Sequence, residues 1–370
     1  MPGEPEDARE SGVDGQDYEA PQSPPSRRTR KRILKFVGIL VVLALLYYSL
    51  FVLLPSELDW STVWADLSAL SVWQIGALVA SGLLAIVALG WTSKASLPNL
   101  TLYQGTESSA TSQLSAFVFP PPADMAIRFA MYRTYGFSDE QSAVAVIIAM
   151  IARYAMVVLM PLIGLGLVLV AGQGSWAGLS WFLVVGAVFG LVMWLIVHVA
   201  RSEAAAQSVG AWLQRVASRV IRMFRRTPPS DLEDSVVDFG RRTRDTLDRN
   251  GRSLVVSNVA WGFSNVLVMA LCMRFAGLGT EAVSPVAIVF ATGLVMAINM
   301  LPIPGKDALS ITWISTILAL TSTADISDLG TAMLLYRLIT WILPMPVGGV
   351  LFLVWRARVR RQTKVEAVTT

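Results

Sequence analysis

The chain has 370 residues, of which 54% are hydrophobic and 15% charged, and its formal net charge is +4 at pH 7. Several apolar runs reach the length of about 20 residues that crosses a bilayer core, so the composition excludes a soluble globular domain and predicts an all-α integral membrane protein. With one cysteine, one histidine and no Cys/His cluster, we expect no disulfide within the chain and no metal site. We also expect no cofactor and no nucleic-acid partner.

The first part of the chain, residues 1–32, is predicted to be a disordered cytoplasmic tail. Residues 1–26 carry seven acidic side chains and almost no large apolar ones, so they cannot bury enough surface to offset the entropy of ordering. The basic run RRTRKRILK then adjoins the first apolar segment. Because positive charge collects on the cytoplasmic side of membrane spans, this run places the amino terminus in the cytoplasm.

The membrane domain is predicted over residues 33–358, with about 6–8 transmembrane helices. Full spans are expected at residues 33–54, 72–93, 141–170, 179–200, 254–275 and 331–355. A basic cytoplasmic loop, residues 201–252, divides the domain, and residues 359–370 form a cytoplasmic tail. The arginines of the carboxyl-terminal run, such as Arg356 and Arg358, place that end of the chain on the cytoplasmic side too.

The first interruption of an apolar stretch is FVFPPPADMAIR, where Pro120, Pro121 and Pro122 stand in a row. Consecutive prolines lack N–H donors and exclude a continuous helix. The flanks, residues 112–119 and 123–135, are each too short to cross a bilayer. Since the chain must leave from and return to the cytoplasmic side here, we expect a re-entrant hairpin, although a surface-lying amphipathic segment satisfies the same topology.

A second interruption falls at Pro302, Pro304 and Gly305, between apolar segments at residues 285–301 and 308–320. Two half-helices entering from the outside agree with the topology here. Two full spans agree equally well, so the sequence leaves both open.

The loop at residues 201–252 contains eleven arginines and seven acidic residues. Within it, residues 204–224 place apolar side chains at helical spacing with arginines on the other face, which predicts an interfacial helix on anionic lipid. A solvated helical hairpin is the alternative.

The two interruptions belong to an internal repeat. Arg153 follows Pro120 by 33 residues, and Arg337 follows Pro304 by 33 residues. A proline and then a glycine follow each arginine, the glycines being Gly164 and Gly348. Because the first unit begins inside and the second outside, we interpret them as inverted repeats, an architecture that places the binding site of many transporters where broken helices meet.

Charged side chains inside predicted membrane segments are the candidate substrate-binding residues. An ionised side chain at the bilayer centre costs at least about 2.5 kcal/mol, so it usually faces a cavity or a partner. The candidates are Asp124, Arg128, Arg153, Lys306, Asp307 and Arg337. Basic groups beside the amino termini of broken helices suit an anion. The alternative is that Arg153 and Arg337 form structural ion pairs with Asp124 or Asp307.

The order of a broken helix, an arginine within a span, a second Pro-Gly break and another such arginine resembles the lysylphosphatidylglycerol synthase transmembrane family. PPPADMAIRFAMYRTYG carries the early motif, and PIPGKDALSIT shares Pro304 and Gly305 with the late motif, PGG-x-G-x-x-E. Lys306 and Ala308 replace two of its glycines, and no glutamate follows. The resemblance implies a stand-alone, flippase-like member without the aminoacyl-transferase domain.

What the resemblance implies is translocation of an anionic or aminoacylated phospholipid, or of a polyprenyl-phosphate carrier, at the cell membrane. Expected partners are anionic lipid head groups and cell-envelope enzymes. We expect no enzymatic activity, because no nucleophile–base pair, catalytic carboxylate pair or phosphate loop is present in the sequence. Two other functions stay open: an ion-coupled transporter of small solutes, and a non-transporting scaffold for a cell-envelope glycosyltransferase.

Overall fold

A computed structural model describes residues 60–118, 123–172, 176–201, 208, 232–299, 314 and 326–369. The helices in chain order are α1 (Trp60–Ala69), α2 (Val72–Ser96), α3 (Leu102–Val118), α4 (Ala123–Thr134), α5 (Asp139–Val170), α6 (Trp176–Arg201), α7 (Leu232–Phe275), α8 (Pro285–Asn299), α9 (Ile326–Arg337), a π-helical turn (Leu338–Ile342) and α10 (Pro344–Thr369). These ranges contain no strand. The predicted span at residues 33–54, both proline breaks and nearly all of residues 204–224 lie outside them.

Within the described ranges, four helical stretches are long and apolar enough to cross a membrane: Val72–Ser96, Asp139–Val170, Gly240–Phe275 and Asp328–Arg361. They coincide with spans predicted from the sequence, and shorter apolar helices at Phe182–Ile196 and Pro285–Asn299 coincide with two further predicted segments. The prediction of an all-α membrane protein is therefore confirmed. Pro161 lies within α5 without ending it.

Helix α7 begins much earlier than predicted. It starts at Leu232 rather than near residue 254 and continues for 44 residues, which corresponds to about 66 Å at 1.5 Å per residue. An ion pair between Arg242 and Glu140 joins its amino-terminal half to the start of α5. The second half of the basic loop is thus a continuation of a membrane helix.

Helix α3 also begins earlier than the predicted flank at residue 112. It starts at Leu102 and includes the polar run TESSATSQLS. Serine hydroxyls in this run bond to backbone carbonyls of the preceding turn, as Ser112 does to Ser109 and Ser115 to Ser112. Because the serine hydroxyls find hydrogen-bond acceptors on their own helix backbone, this polar sequence can form a buried helix.

Small residues allow α2 and α3 to pack almost backbone to backbone. A Cβ on Gly90 would overlap Thr106, and one on Gly105 would overlap the carbonyl of Gly90. The hydroxyls of Ser93 and Ser109 bond across the interface at 2.8 Å. Such close approach of small residues is typical of helix pairs within membranes.

Helices α2 and α7 form a long antiparallel pair at the centre of the molecule. Thr92 donates to Ser257 at 3.2 Å near one end. At the other end the rings of Trp73 and Phe275 meet edge to face, with centroids 5.3 Å apart. Helix α2 precedes α3 and the first break, and α7 precedes α8 and the second break. The two halves of the molecule therefore meet along helices that hold the same place in each repeat.

The glycine that follows each in-span arginine packs against the other half of the molecule. Gly164 of α5 touches Phe290 of α8, and Gly293 of α8 lies against Pro161 of α5. In the same way, Gly348 of α10 touches Ala110 of α3. The glycine after Arg153 therefore packs against α8, which precedes the second break, and the glycine after Arg337 packs against α3, which precedes the first break.

The helix directions agree with the predicted inversion. The pairs Gly164–Phe290 and Pro161–Gly293 make α5 and α8 antiparallel, whereas the contact of Gly262 with Met156 on α5 belongs to a parallel packing of α5 and α7. Since α3 runs opposite to α2, and α2 opposite to α7, helices α3 and α8 enter the molecule in opposite directions.

The π-helical turn, Leu338–Ile342, lies between Arg337 and Pro344. The N–H of Leu343 bonds to the carbonyl of Leu338 at 3.0 Å, which is the i to i−5 pattern of a π-helix. Proline at position 344 has no N–H and would clash with the carbonyl four residues before it in a regular α-helix. The wider turn removes that conflict and leaves the helix continuous.

We predict that Gly348→Ala destabilises the protein and that Gly349→Ala does not. A Cβ at Gly348 would overlap the carbonyl oxygen of Ala110, whereas a Cβ at Gly349 has open space around it. Overpacking of this kind costs about 1–3 kcal/mol, so thermal unfolding in mild detergent should show a lower midpoint for Gly348→Ala alone. Equal midpoints for the two variants would contradict the close helix contact.

Candidate functional site

Helices α3 and α4 form an antiparallel hairpin around residues 119–122. Nη2 of Arg128 donates to Oγ of Ser112 at 2.8 Å, and the hydroxyl of Tyr135 donates to Oε2 of Glu107 at 2.6 Å. Both contacts join residues at nearly equal distances from Pro120 along the chain. The two flanks of the first break therefore lie side by side, with Arg128 and Ser112 nearer the bend than Glu107 and Tyr135.

Three of the predicted substrate-binding residues come together beside this hairpin. Asp124 lies in the first turn of α4 and is half-buried, and Arg128 lies one turn later with 7% of its surface exposed. Arg153 of α5 is close enough for the charges of both Arg128 and Asp124 to act on its guanidinium. This group also lies over the ring of Tyr154, 5.8 Å from the centroid.

Arg337 occupies the corresponding place in the second half. It is the last residue of α9 and is buried, and its Nη2 donates to Oδ1 of Asn299 at 3.0 Å. Its guanidinium also lies over the ring of Trp341, 5.8 Å from the centroid. Because Asn299 is the last described residue of α8, Arg337 contacts the part of this helix that precedes Pro302 in the sequence.

The remaining predicted site residues, Lys306 and Asp307, lie outside the described residues. So do the break residues Pro120, Pro121, Pro122, Pro302, Pro304 and Gly305. That Asp124 and Arg128 face the second break thus stays a prediction.

A second cluster of polar side chains, which the sequence did not indicate, surrounds Glu107 of α3. The Glu107 side chain has 0% exposure, and both of its oxygens face the guanidinium of Arg358 on α10, at 3.2 Å and 3.3 Å. The hydroxyls of Tyr103 and Tyr135 donate to the same carboxylate at 3.2 Å and 2.6 Å. A buried carboxylate with four hydrogen bonds is fully satisfied, which is the condition for keeping its charge inside a protein.

Next to this cluster is a cleft of about 130 Å³, lined by Gln104, Thr134, Tyr135, Trp355, Arg358 and Val359. Across it, Nε1 of Trp355 donates to Oγ1 of Thr134 at 2.9 Å. Arg358 remains 40% exposed at the side chain and lies over the ring of Tyr103, 5.5 Å from its centroid. Helix α10 of the second half thus contacts the hairpin of the first half through Trp355, which bonds to Thr134, and through Arg358, which bonds to Glu107 and Tyr103.

Burial, together with the bond to Glu107, raises the pKa of Tyr135 above its ordinary value of 10.0. The phenol therefore keeps its proton and acts as a donor to the carboxylate throughout the physiological range. Among the described residues, no group of His, Cys, Asp and Glu side chains is arranged to hold a metal ion.

Sequence reasoning missed Glu107, Tyr135, Arg358 and Asn299. Glu107 lies before residue 112, where the predicted flank begins, and Arg358 belongs to a basic run that membrane topology already explains. One signal was present, because Tyr103 and Glu107 are four residues apart and share a helix face.

Comparison with known proteins agrees with this picture of the fold. The family model described as the lysylphosphatidylglycerol synthase TM region matches residues 35–348. No curated protein matches the chain.

We predict that Tyr135→Phe lowers the free energy of unfolding by about 1.5–3 kcal/mol, the usual contribution of a hydrogen bond to a charged group. Tyr103→Phe should cost less, because Tyr103 is exposed and its bond is longer. Chemical denaturation in detergent measures both.

The effect of Tyr135→Phe should not change between about pH 6 and about pH 9. Because folding raises the pKa of Tyr135, the stability gained from its hydrogen bond to Glu107 is complete below the pKa of a free tyrosine. It is lost only when the pH rises through the pKa of Tyr135 in the folded protein. A loss of the difference within that window would show that the phenol is not the donor.

Proposed function

Because this chain belongs to the lysylphosphatidylglycerol synthase transmembrane family, we propose that it moves a lipid with an anionic head group between membrane leaflets. The lipid is an anionic or aminoacylated phospholipid, or a polyprenyl-phosphate carrier. The single observation that carries the proposal is the buried Arg128, bonded to Ser112 beside the first proline break, with Asp124 one turn earlier on the same helix and Arg153 on the neighbouring helix α5.

The charges of this group support an anionic ligand. Two guanidiniums and one carboxylate leave a net positive charge among these side chains, and like charges repel strongly where the dielectric constant is low. A phosphate group supplies the missing negative charge and accepts paired hydrogen bonds from arginine. Ser112 fixes the orientation of Arg128 through its hydroxyl, at 2.8 Å.

The hairpin gives the head group a place within the bilayer. Helices α3 and α4 have 17 and 12 residues, fewer than the about 20 needed to span. We therefore propose that they form a re-entrant hairpin that enters from the cytoplasmic side, with Arg128 inside the membrane. The acyl chains then stay in the surrounding lipid while the head group contacts the arginines.

The proposal places the protein in the cell membrane with both termini in the cytoplasm. Its ligands are membrane lipids, its partners include cell-envelope enzymes, and it performs no chemistry on the lipid. The exposed apolar side chains of α6, such as Leu183, Val188 and Leu191, suit contact with acyl chains.

We predict that Arg128→Gln, Arg153→Gln and Arg337→Gln each slow lipid movement at least tenfold. Losing one charged hydrogen bond to phosphate costs about 1.5–3 kcal/mol, and about 1.4 kcal/mol already changes a rate tenfold. The measurement is the transfer of fluorescent phosphatidylglycerol between leaflets in vesicles containing the purified protein.

The matched control is Arg133→Gln. Arg133 is on the same helix as Arg128 but is exposed and paired with Asp139, so this variant should retain the parental rate. Parental rates in all three site variants would refute the site. Solute uptake driven by a pH gradient, without lipid movement, would instead identify the ion-coupled transporter.

A further inference from the structure

We propose that Glu107 and Arg358 form a latch that closes one entrance to the Arg128 site and opens when an anionic head group in the adjoining cleft binds Arg358. This inference rests on the proposed function for its ligand, a phosphate-bearing lipid. The latch itself is defined by the side chains of α3, α4 and α10.

The position of the ion pair suits a closure. Glu107 precedes Ser112 by five residues on α3, about 7.5 Å along the helix axis. It therefore lies between the contact of Ser112 with Arg128 and the open end of the hairpin. Arg358 reaches it from α10, so the ion pair joins the two halves of the molecule at this entrance.

The positions of the second half that correspond to this ion pair carry no charge in the sequence. The two repeats are offset by 184 residues, both as 304 − 120 and as 337 − 153. The same offset takes Glu107 to Ala291 and Arg358 to Gly174, neither of which is charged. A device needed only for stability would serve both entrances, whereas a closure that distinguishes the two sides of a membrane needs such asymmetry.

The partners of Glu107 allow Arg358 to leave. Besides Arg358, the hydroxyls of Tyr103 and Tyr135 donate to the carboxylate at 3.2 Å and 2.6 Å, and these two bonds do not run through the guanidinium. The Glu107 carboxylate thus keeps two hydrogen-bond donors when Arg358 leaves. A buried carboxylate without donors would make opening too costly. Separating a buried ion pair is costly when either charge is left without a partner, and here the phosphate would replace Glu107 as the partner of Arg358 while the two tyrosine hydroxyls remain beside Glu107.

The cleft beside Arg358 provides access for the competing anion. The side chain of Arg358 is 40% exposed, and it lines the cleft together with the polar side chain of Gln104. Arginine binds phosphate oxygens in the same forked geometry as a carboxylate. A phospholipid head group is therefore a direct competitor of Glu107 for the guanidinium.

The test measures access to the site rather than transport. Ser112→Cys is introduced after Cys272→Ala, which removes the one native cysteine, and an uncharged, membrane-impermeant polyethylene glycol maleimide reports the labelling rate. The protein is placed in vesicles of phosphatidylcholine alone or of phosphatidylcholine and phosphatidylglycerol in equal parts. Thr101→Cys, at an exposed position, corrects for differences in reagent access between the vesicles.

With the latch intact, labelling should be slow in phosphatidylcholine and several-fold faster with phosphatidylglycerol. Glu107→Gln and Arg358→Gln should label at the fast rate in both vesicles. Arg358→Lys keeps the charge but loses the fork, so it should label faster in phosphatidylcholine and still respond to phosphatidylglycerol. Arg360→Gln, an exposed neighbour on α10, should behave as the parent does.

Slow labelling of both Glu107→Gln and Arg358→Gln would overturn the latch. An intact protein that labels equally in the two vesicles would overturn its release by the anionic head group. Failure of the proposed function has a different signature, because lipid movement would be absent while the latch variants still changed the labelling rate.

Discussion

The architecture depends on close contact between helices at glycine. Gly164, Gly293 and Gly348 each leave no room for a side chain, and their contacts join the two halves rather than elements within one half. Helix association inside lipid cannot rely on the hydrophobic effect, so dispersion contacts over a short interaxial distance must replace it. These glycines therefore fix where α3 and α8 lie, and with them the ends of the two interrupted helices.

The polar side chains follow from the same constraint. Helix α3 is rich in serine and threonine, residues small enough for close packing and able to bond to their own backbone. Its longer polar side chain, Glu107, is buried and accepts hydrogen bonds from Tyr103, Tyr135 and Arg358. Close packing and the hydrogen bonding of buried charge thus involve the same helix, which contacts Arg128 through Ser112 and Arg358 through Glu107.

The sequence was sufficient for the class of fold and for most helices, because long apolar runs have few alternatives in a membrane. It also singled out Asp124, Arg128 and Arg153, since charges within apolar segments are easily recognised, and their role in binding stays a prediction. It failed where a signal had two explanations. The first ten residues of α3 were not predicted to be helical because many of them are polar. The first part of α7 was predicted to belong to a loop because its arginines are charged. Contacts between distant segments, such as Glu107 with Arg358, depend on three-dimensional packing that spacing alone does not encode.

The π-helical turn makes the two repeats unequal despite their matching spacing. Arg153 and Gly164 are separated by unbroken α-helix, so eleven residues, about three turns, place them on nearly the same face. Arg337 and Gly348 have the same separation in sequence, but the wider turn between them rotates one relative to the other by about a quarter of a turn. When Gly348 is fixed against α3, Arg337 therefore points along a different azimuth from its counterpart. The two arginines therefore present their guanidinium groups in different directions relative to the glycine contacts that join the two halves.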